Sequence, residues 1–504
     1  MKLGVDLGTT RTIVATADRG NYPVVTFYDG DGEAHEHLPS VVALDDDRLV
    51  FGFEALAAAR AGAPLTRSFK RVLAAPDVTA ETPVTVGTRQ VPVLELLTAY
   101  AAALRTALVE QSSLSEELTV DSELQAAVGV PAHAHGPQRF LTLEAFRRAG
   151  FTVVAMLNEP SAAGFEFTHR RRREITRNRT CVVVYDLGGG TFDASVVDVA
   201  GTHHEVLGTV GLNHVGGDDF DLLLADLAAE SIHQRVDDLS APDRDDLLEQ
   251  ARELKEHLSP QTRRLTLEVA GTEVGVPVTA FYGRATPLVE QTVDAMGPLM
   301  GDADDHVDEL HDVAGIYLVG GASGLPLVPR LLKERFGRRV HRSPLPAAST
   351  AIGLAIATDD DAGYSLRDRL SRGFGVFREL RDGEAVGFDP ILGRTDVLEP
   401  SGCRTATRRY RAAHDVGWYR YVEHTDLDEH GGPTGDLVPF AEVLFPFDPV
   451  LRDGRDLTRV PVQRRDDGPL VEERYTLDEH GIVQVRITDL DSGYSQVHAL
   501  RADG

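Results

Sequence analysis

Residues 182–199 read VVVYDLGGGTFDASVVDV. Two apolar, β-branched runs suit buried strands, yet Asp186, Gly188, Gly189, Gly190, Thr191 and Asp193 separate them. A hydrophobic core has no use for a carboxylate and a side-chain-free turn at the mouth of a buried hairpin. A weaker echo stands at the N-terminus, where Gly4-Val5-Asp6-Leu7-Gly8-Thr9-Thr10 runs on to Thr12-Ile13-Val14-Ala15. Both read strand, Asp-Leu, glycine turn, strand. The pair predicts two related lobes, each offering a turn to one central site. The glycines are expected to adopt unusual φ/ψ and let backbone N–H groups approach an anion, with the hydroxyls of Thr9, Thr10 and Thr191 as added donors. Asp6 and Asp186, at strand ends, suit Mg²⁺, which keeps several of its waters. Two ordinary hairpins with glycine turns are the competing account, and the matched aspartates weigh against it.

A third apolar strand, Ile316-Tyr317-Leu318-Val319, ends in Gly320-Gly321-Ala322-Ser323-Gly324 before a helix beginning near Leu325-Pro326. Such a junction admits a nucleoside against the backbone and aims helix N–H groups at a phosphate. Lys255 and Ser259 stand four apart on a predicted helix near 243–258, on one face where they could hold a ribose or base. A salt-bridged surface with Glu253 and Glu256 is the plainer account of that face. The chain has only four lysines, Lys2, Lys70, Lys255 and Lys333, against a large excess of arginine. A retained lysine suggests a compact ammonium rather than a planar fork.

The first 358 residues alternate strands (2–6, 11–17, 126–130, 151–156, 181–186, 193–199, 314–319) with helices (near 92–110, 137–149, 160–168, 218–236, 243–258, 286–300, 325–336), which predicts an α/β architecture. A polar stretch, TDDDAGYSLRDRLSR (358–372), marks a linker or boundary. Beyond it short strands predict an antiparallel β-domain over 373–504: 405–411 and 416–423 flank His414-Asp415, while 471–477 and 482–488 flank Asp478-Glu479-His480-Gly481, a turn that fits a hairpin. At 504 residues the chain exceeds one core. A net charge of −28 argues against nucleic acid as the main partner; His169 to Arg173 reads as a solvated basic loop. No apolar run reaches a membrane span, the N-terminus lacks the apolar core of a signal peptide, and Cys181 and Cys403 make a disulfide framework unexpected. A soluble, cytoplasmic protein is the expectation.

With these motifs in view the sequence resembles the 70-kDa heat-shock chaperones (DnaK-type), members of the actin-like ATPase superfamily. VDLGTTRT, NEPSAAG (158–164), VYDLGGGTFD, NHVGGDDFD (213–221) and LVGGASGLP (318–326) occur in that family's order. The resemblance is strong over 1–358 and weaker over 373–504, where TLDEHGIVQVRITDLDSG is similar to the closing hairpin of the family's β-sandwich. It implies a two-lobed actin-like ATPase domain (1–358), a linker (359–372) and a β-sandwich substrate-binding domain (373–504). It further implies ATP/ADP and Mg²⁺ as cofactors, with Asp6 and Asp186 as carboxylates for Mg²⁺ waters. Lys70 is implied beside the γ-phosphate and the attacking water, and Glu159 and Asp193 as orderers of water. Thr9 and Thr191 are implied on phosphate, Lys255 and Ser259 on adenosine, and Pro131 and Arg139 as a relay to the β-domain.

The departures bear on function. Ala322 and Gly324 stand where many relatives have a serine and a base-stacking arginine, and Arg252 replaces a usually acidic residue, which puts nucleotide affinity and base selectivity in question. The family's apolar linker is absent from 358–372, so coupling of the domains is open. His133, His135 and Ala155 replace residues associated with J-protein docking, so that partnership is open too; as a metal pair, His133 and His135 lack further ligands. On the strand carrying Trp418, Arg420 and Val422, either the three line a peptide groove or Trp418 anchors the core, the latter favoured. The chain is expected to lack the helical lid. The implied function is an ATP-dependent chaperone in protein folding and stress response, slowly hydrolysing ATP to control the grip on unfolded or extended polypeptide, with a nucleotide exchange factor as a candidate partner. A nucleotide-regulated scaffold for a folded partner is the alternative, and a small-molecule kinase ranks last.

Overall fold

The computed structural model describes residues 1–212, 214–300, 312–370, 372–393, 397–398, 404–435, 437–478 and 480–499. Asn213, Ser371, Cys403 and Glu479, which belong to stretches discussed above, lie outside them. The chain forms two compact units, one of residues 1–71, 103–133 and 157–365, the other of 72–102, 134–156 and 366–504.

In the first unit one plan occurs twice. Strand Lys2–Leu7 pairs antiparallel with Arg11–Thr16 and parallel with Gln125–Val130. Strand Cys181–Leu187 pairs antiparallel with Phe192–Ala200 and parallel with Val313–Val319. His203–Leu212 then continues from Phe192–Ala200, and Val340–Arg342 from Val313–Val319. Parallel neighbours need crossover connections and are buried on both faces, which accounts for the near-continuous apolar runs. In the second sheet Val183, Tyr185 and Phe192 pack in one core with Phe220 and Leu224 of helix Gly217–Ser231 and Phe281 of helix Val278–Ala295.

The expected helices are present, with shifted ends. The helix expected from 286 begins at Val278 and keeps Pro287 in its interior. A proline reads as a first-turn residue because it breaks the hydrogen-bond ladder further in. Here the buried stripe Val278, Phe281, Ala285, Val289 and Thr292 overrides it. The helix expected at 243–258 is Ala241–Glu256, started by the Ser240 hydroxyl, which accepts from the Asp243 N–H at 3.3 Å. The polar stretch 358–372 is more ordered than a bare linker. It contains a short 3₁₀ turn (Asp360–Ala362) and a strand (Ser365–Arg369). Tyr22 donates its hydroxyl to Asp359 at 2.8 Å, and Lys2 pairs with Asp360 at 2.7 Å.

The second unit contains two four-stranded antiparallel sheets. One runs Ala385–Leu392, Gly373–Leu380, Val416–His424, Val438–Pro446; the other Arg404–Arg411, Leu470–Leu477, Val483–Asp489, Ser495–Ala499. The strands on either side of His414-Asp415 therefore enter different sheets, whereas Leu470–Leu477 and Val483–Asp489 form the expected hairpin. There Asp478 accepts the N–H groups of His480 and Ile482 at 2.9 and 2.8 Å. Both sheets share one core, with Phe374, Val376 and Tyr421 from the first and Tyr475, Val485 and Ile487 from the second, a β-sandwich. That core holds a charge. Glu473 is fully buried, receives both arms of the Arg378 guanidinium at 3.0 and 2.7 Å, and accepts the hydroxyls of Tyr410 and Tyr475. Trp418 is 56% exposed, which corrects its expected role as a core anchor. The reason is strand alternation: Tyr419 and Tyr421 point inward, so Trp418 and Arg420 point out.

The same unit includes helix Gly136–Arg148, whose first N–H, on Gly136, donates to the two carboxylate oxygens of Glu423 at 3.0 and 3.1 Å, a favourable place for negative charge. Arg139 donates through Nε to the His480 carbonyl at 3.3 Å. His135 caps this helix, its Nδ1 accepting from the Gln138 N–H at 3.3 Å, a local hydrogen-bonding role.

Removing one partner of a buried ion pair strands the other. Glu473→Ala is therefore expected to destabilise the protein by about 3 kcal/mol, read as a lower urea midpoint, while Asp453→Ala, an exposed residue paired only with the exposed Arg455, changes the midpoint little.

Candidate functional site

The two glycine turns are the same object. In each, the first glycine donates its N–H to a carbonyl three residues on: Gly8 to Arg11 and Gly188 to Thr191, both at 3.0 Å. None of Gly8, Gly188, Gly189 and Gly190 has a positive φ, which corrects the expectation of unusual backbone angles. Their smallness answers to proximity. A Cβ on Gly189 would stand 2.9 Å from Thr10 Oγ1, and one on Gly190 would stand 3.0 Å from Thr9 Oγ1 and 2.8 Å from Arg71 Nε. The turns meet tip to tip. Gly320 differs: its φ is +82°, and a Cβ would collide with Asp186 Oδ1 and the Leu187 carbonyl.

Around these turns opens a cleft of about 110 Å³ lined by Asp6, Gly8, Thr9, Thr10, Lys70, Glu159, Asp186, Gly188, Gly189, Thr191, Lys255, Gly320 and Gly321. Gly190 sits behind Thr9 and Arg71, and Asp193 lies buried below the wall. The helix ends at Glu256, so Ser259 falls in the following turn, bonded to Thr262 at 3.0 Å, and lines a neighbouring cavity. Lys255 and Ser259 thus do not share a helical face. Nor is Lys255 a surface residue: its ammonium is buried, 2.5 Å from Asp221 and 2.7 Å from the Gly217 carbonyl.

The charges at the turn end are out of balance. Glu159, Asp186 and Asp193 are buried and Asp6 is partly buried beside them, and the cation among them is Lys70, 3.1 Å from Glu159 Oε1. Burial, then the charge of Glu159, push the Asp6 carboxyl up to about 7, with Lys70 pulling the other way. Burial first and Glu159 second raise Asp186 and Asp193 well above the usual carboxylate range, and Asp6 adds to the rise at Asp186. Backbone N–H groups of His133 and Ala132 hold Asp193 from one side, while its Oδ1 is buried without a hydrogen-bond partner. Four desolvated carboxylates against one ammonium fit a hydrated divalent cation.

Several cleft residues were not singled out in the sequence. Asp218 and Asp221 hold Arg252, each at 3.5 Å, and Arg71 bridges the Gly190 carbonyl and Asp219, both at 3.2 Å. The acidic run after Gly216-Gly217 was a usable signal for the aspartates. Nothing local marks Arg11, whose pairing with Glu256 joins residues far apart in the chain.

The sequence model of the Hsp70 family, described as "Hsp70 protein", matches residues 2–365. The chain is 33% identical over 384 residues to a "Chaperone protein HscA homolog" of Bordetella petrii, covering 73% of this chain and 59% of that protein. It is also 33% identical over 367 residues to "Chaperone protein HscA" of Proteus mirabilis (71% and 57%) and over 371 residues to the homolog of Tolumonas auensis (71% and 57%). The matches thus span less than two thirds of these relatives' own length. Among the described residues no helix is long and apolar enough to cross a membrane.

A carboxyl whose folded-state pKa lies above its unfolded value binds its proton more tightly in the folded chain, so stability is lost as pH rises through that window. For Asp6 the window runs from 3.8 to about 7, and Asp186 and Asp193 act in the same direction. Without divalent cation, the contribution of these groups lowers the melting temperature between about pH 5 and about pH 8. Added Mg²⁺ is expected to raise the midpoint more at the upper pH. Scanning calorimetry with and without Mg²⁺ checks this, and a Mg²⁺ effect equal at both pH values refutes it.

Proposed function

Because the chain belongs to the Hsp70 family, we propose that it binds ATP with Mg²⁺ in the cleft between its two glycine hairpins and hydrolyses it slowly to control the hold of residues 373–504 on extended polypeptide. The observation that carries this reading is the meeting of Gly189 and Gly190 with Thr10 and Thr9 beside Lys70 and the buried carboxylates. Phosphoryl transfer asks of a protein chiefly positioning and charge stabilisation. Turn amides with Thr9, Thr10 and Thr191 bind phosphate oxygens, and Lys70 stabilises charge on the transferred group. Glu159 and Asp193 orient the attacking water and accept its proton. Mg²⁺, held through waters by Asp6 and Asp186, neutralises phosphate charge when bound. Lys255, Gly320 and Gly321 take the nucleoside end.

Residues 1–358 act as the nucleotide domain, 359–372 as the connection and 373–504 as the client-binding domain. Coupling through Pro131 and Arg139 is supported by chain continuity. Asp193 accepts from the N–H groups of Ala132 and His133, and three residues on, Gly136 donates to Glu423 on the strand that carries Trp418 and Arg420. Unfolded polypeptide is the proposed client, and a nucleotide exchange factor a proposed partner. One observation favours the alternative of a scaffold for a folded partner: the outward face of that strand presents an exposed Trp418 beside an exposed Arg420, a pairing suited to a protein surface.

Lys70→Ala is expected to abolish hydrolysis with ATP binding largely kept; unchanged turnover removes Lys70 from the chemistry. Affinity for a labelled, extended apolar peptide, measured with ADP and then with ATP, decides between the two readings. Weaker binding with ATP supports the chaperone, and equal or absent binding in both states supports the scaffold.

A further inference from the structure

Trp418 is the only tryptophan of the chain, and strand alternation turns it out of the sandwich core. Exposed as it is, it does not stand alone. Its indole Nε1 donates to Glu442 Oε2 on the neighbouring strand at 3.2 Å, and both side chains border a cavity of about 200 Å³. Leu444, two residues along the Glu442 strand, forms one wall. Leu457, Thr458, Val460 and Val462, from the segment that follows the strand, form the rest.

These walls are tied down. Arg452 donates to Asp489 at 2.6 Å and to the Phe447 carbonyl at 3.0 Å. Further on, the Gln463 N–H donates to Asp415 at 2.7 Å and Arg465 pairs with Asp448 at 2.5 Å. Between these anchors Asp456 caps the turn Leu457–Arg459, accepting from the Thr458 N–H at 3.1 Å. A cavity held in this way needs little ordering when a ligand enters.

Its side chains offer acceptors and no spare donor. The indole N–H is spent on Glu442, and the Thr458 hydroxyl donates to Asp456 at 2.5 Å. Among the described residues Glu442 makes no ion pair. Arg420 stands opposite Glu442 in the ladder but lies outside this cavity, and Arg459 is paired with Asp456 at 3.1 Å. An apolar side chain entering here would strip water from the carboxylate without replacing its hydrogen bonds, which costs free energy. A guanidinium only donates hydrogen bonds, stacks on an aromatic ring and lays its methylene stem along aliphatic walls. We propose that this cavity is a docking site for an arginine side chain of a partner protein, taken up between the Trp418 indole and the Glu442 carboxylate. A chain of net charge −28 repels its own copies and attracts a basic partner. The inference goes beyond the nucleotide reading and stands without it.

Because Trp418 is the only tryptophan, its emission reports on this cavity directly. The full chain is titrated with the acetylated, amidated tripeptide Gly-Arg-Gly and with the same peptide carrying citrulline, an uncharged isostere, or norleucine, an apolar one. The arginine peptide is expected to shift the emission and to bind about tenfold more tightly than either analogue, the worth of one stacked and paired cation. Glu442→Gln keeps an acceptor for the indole at an exposed position. It is expected to lower arginine-peptide affinity about tenfold and to leave the citrulline peptide unaffected. Citrulline or norleucine binding as tightly as arginine overturns the proposal, as does an emission that none of the three peptides changes. An arginine preference that survives Glu442→Gln overturns the role of the carboxylate. Emission of the free protein that changes on dilution shows a second copy in the cavity and overturns the assignment to a partner. None of these outcomes bears on ATP binding, so the nucleotide reading is tested separately.

Discussion

The cleft depends on one steric condition: two backbone turns must approach until the hydroxyls of Thr9 and Thr10 stand 3.0 and 2.9 Å from where Cβ atoms of Gly190 and Gly189 would be. Any side chain at those glycines would wedge the hairpins apart. Because each hairpin ends a strand whose penultimate residue is aspartate, closing the turns also brings Asp6 and Asp186 into one desolvated space. Geometry and charge are set by the same contact.

That contact concentrates negative charge at a cost. Three carboxylates there are held above their usual pKa range mainly by burial, a state that persists only where surrounding structure over-determines it or a ligand relieves it. Lys255 shows the opposite arrangement. Its ammonium is already matched by Asp221 and a carbonyl, so charge is balanced at that end of the cleft while the turn end carries an excess of carboxylates. Arg252, held among Asp218, Asp221 and Glu249, keeps this wall charge-balanced.

The second unit follows a different logic. Its sandwich encloses a carboxylate satisfied by a two-armed arginine and two tyrosines, an interior that fixes which strands face each other because a shifted partner would strand the charge. With Tyr419 and Tyr421 spent on that interior, the same strand turns Trp418 and Arg420 outward.

Sequence alone determined much of the cleft. The strand–Asp–Leu–glycine repeat, the α/β alternation and the antiparallel C-terminal strands were legible because each is a local pattern whose period the backbone dictates. The closing hairpin at 478–481 was legible for the same reason. Tertiary structure decided what depends on distant segments. It set the reason for the turn glycines, which is proximity rather than φ, and the start of helix Val278–Ala295, where a buried stripe outweighs Pro287. It separated Ser259 from Lys255 by ending a helix at Glu256. It also sent the strands around His414-Asp415 into different sheets and joined Arg11 to Glu256. Those choices turn on which surfaces are buried together, and neither residue spacing nor local propensity carries that information.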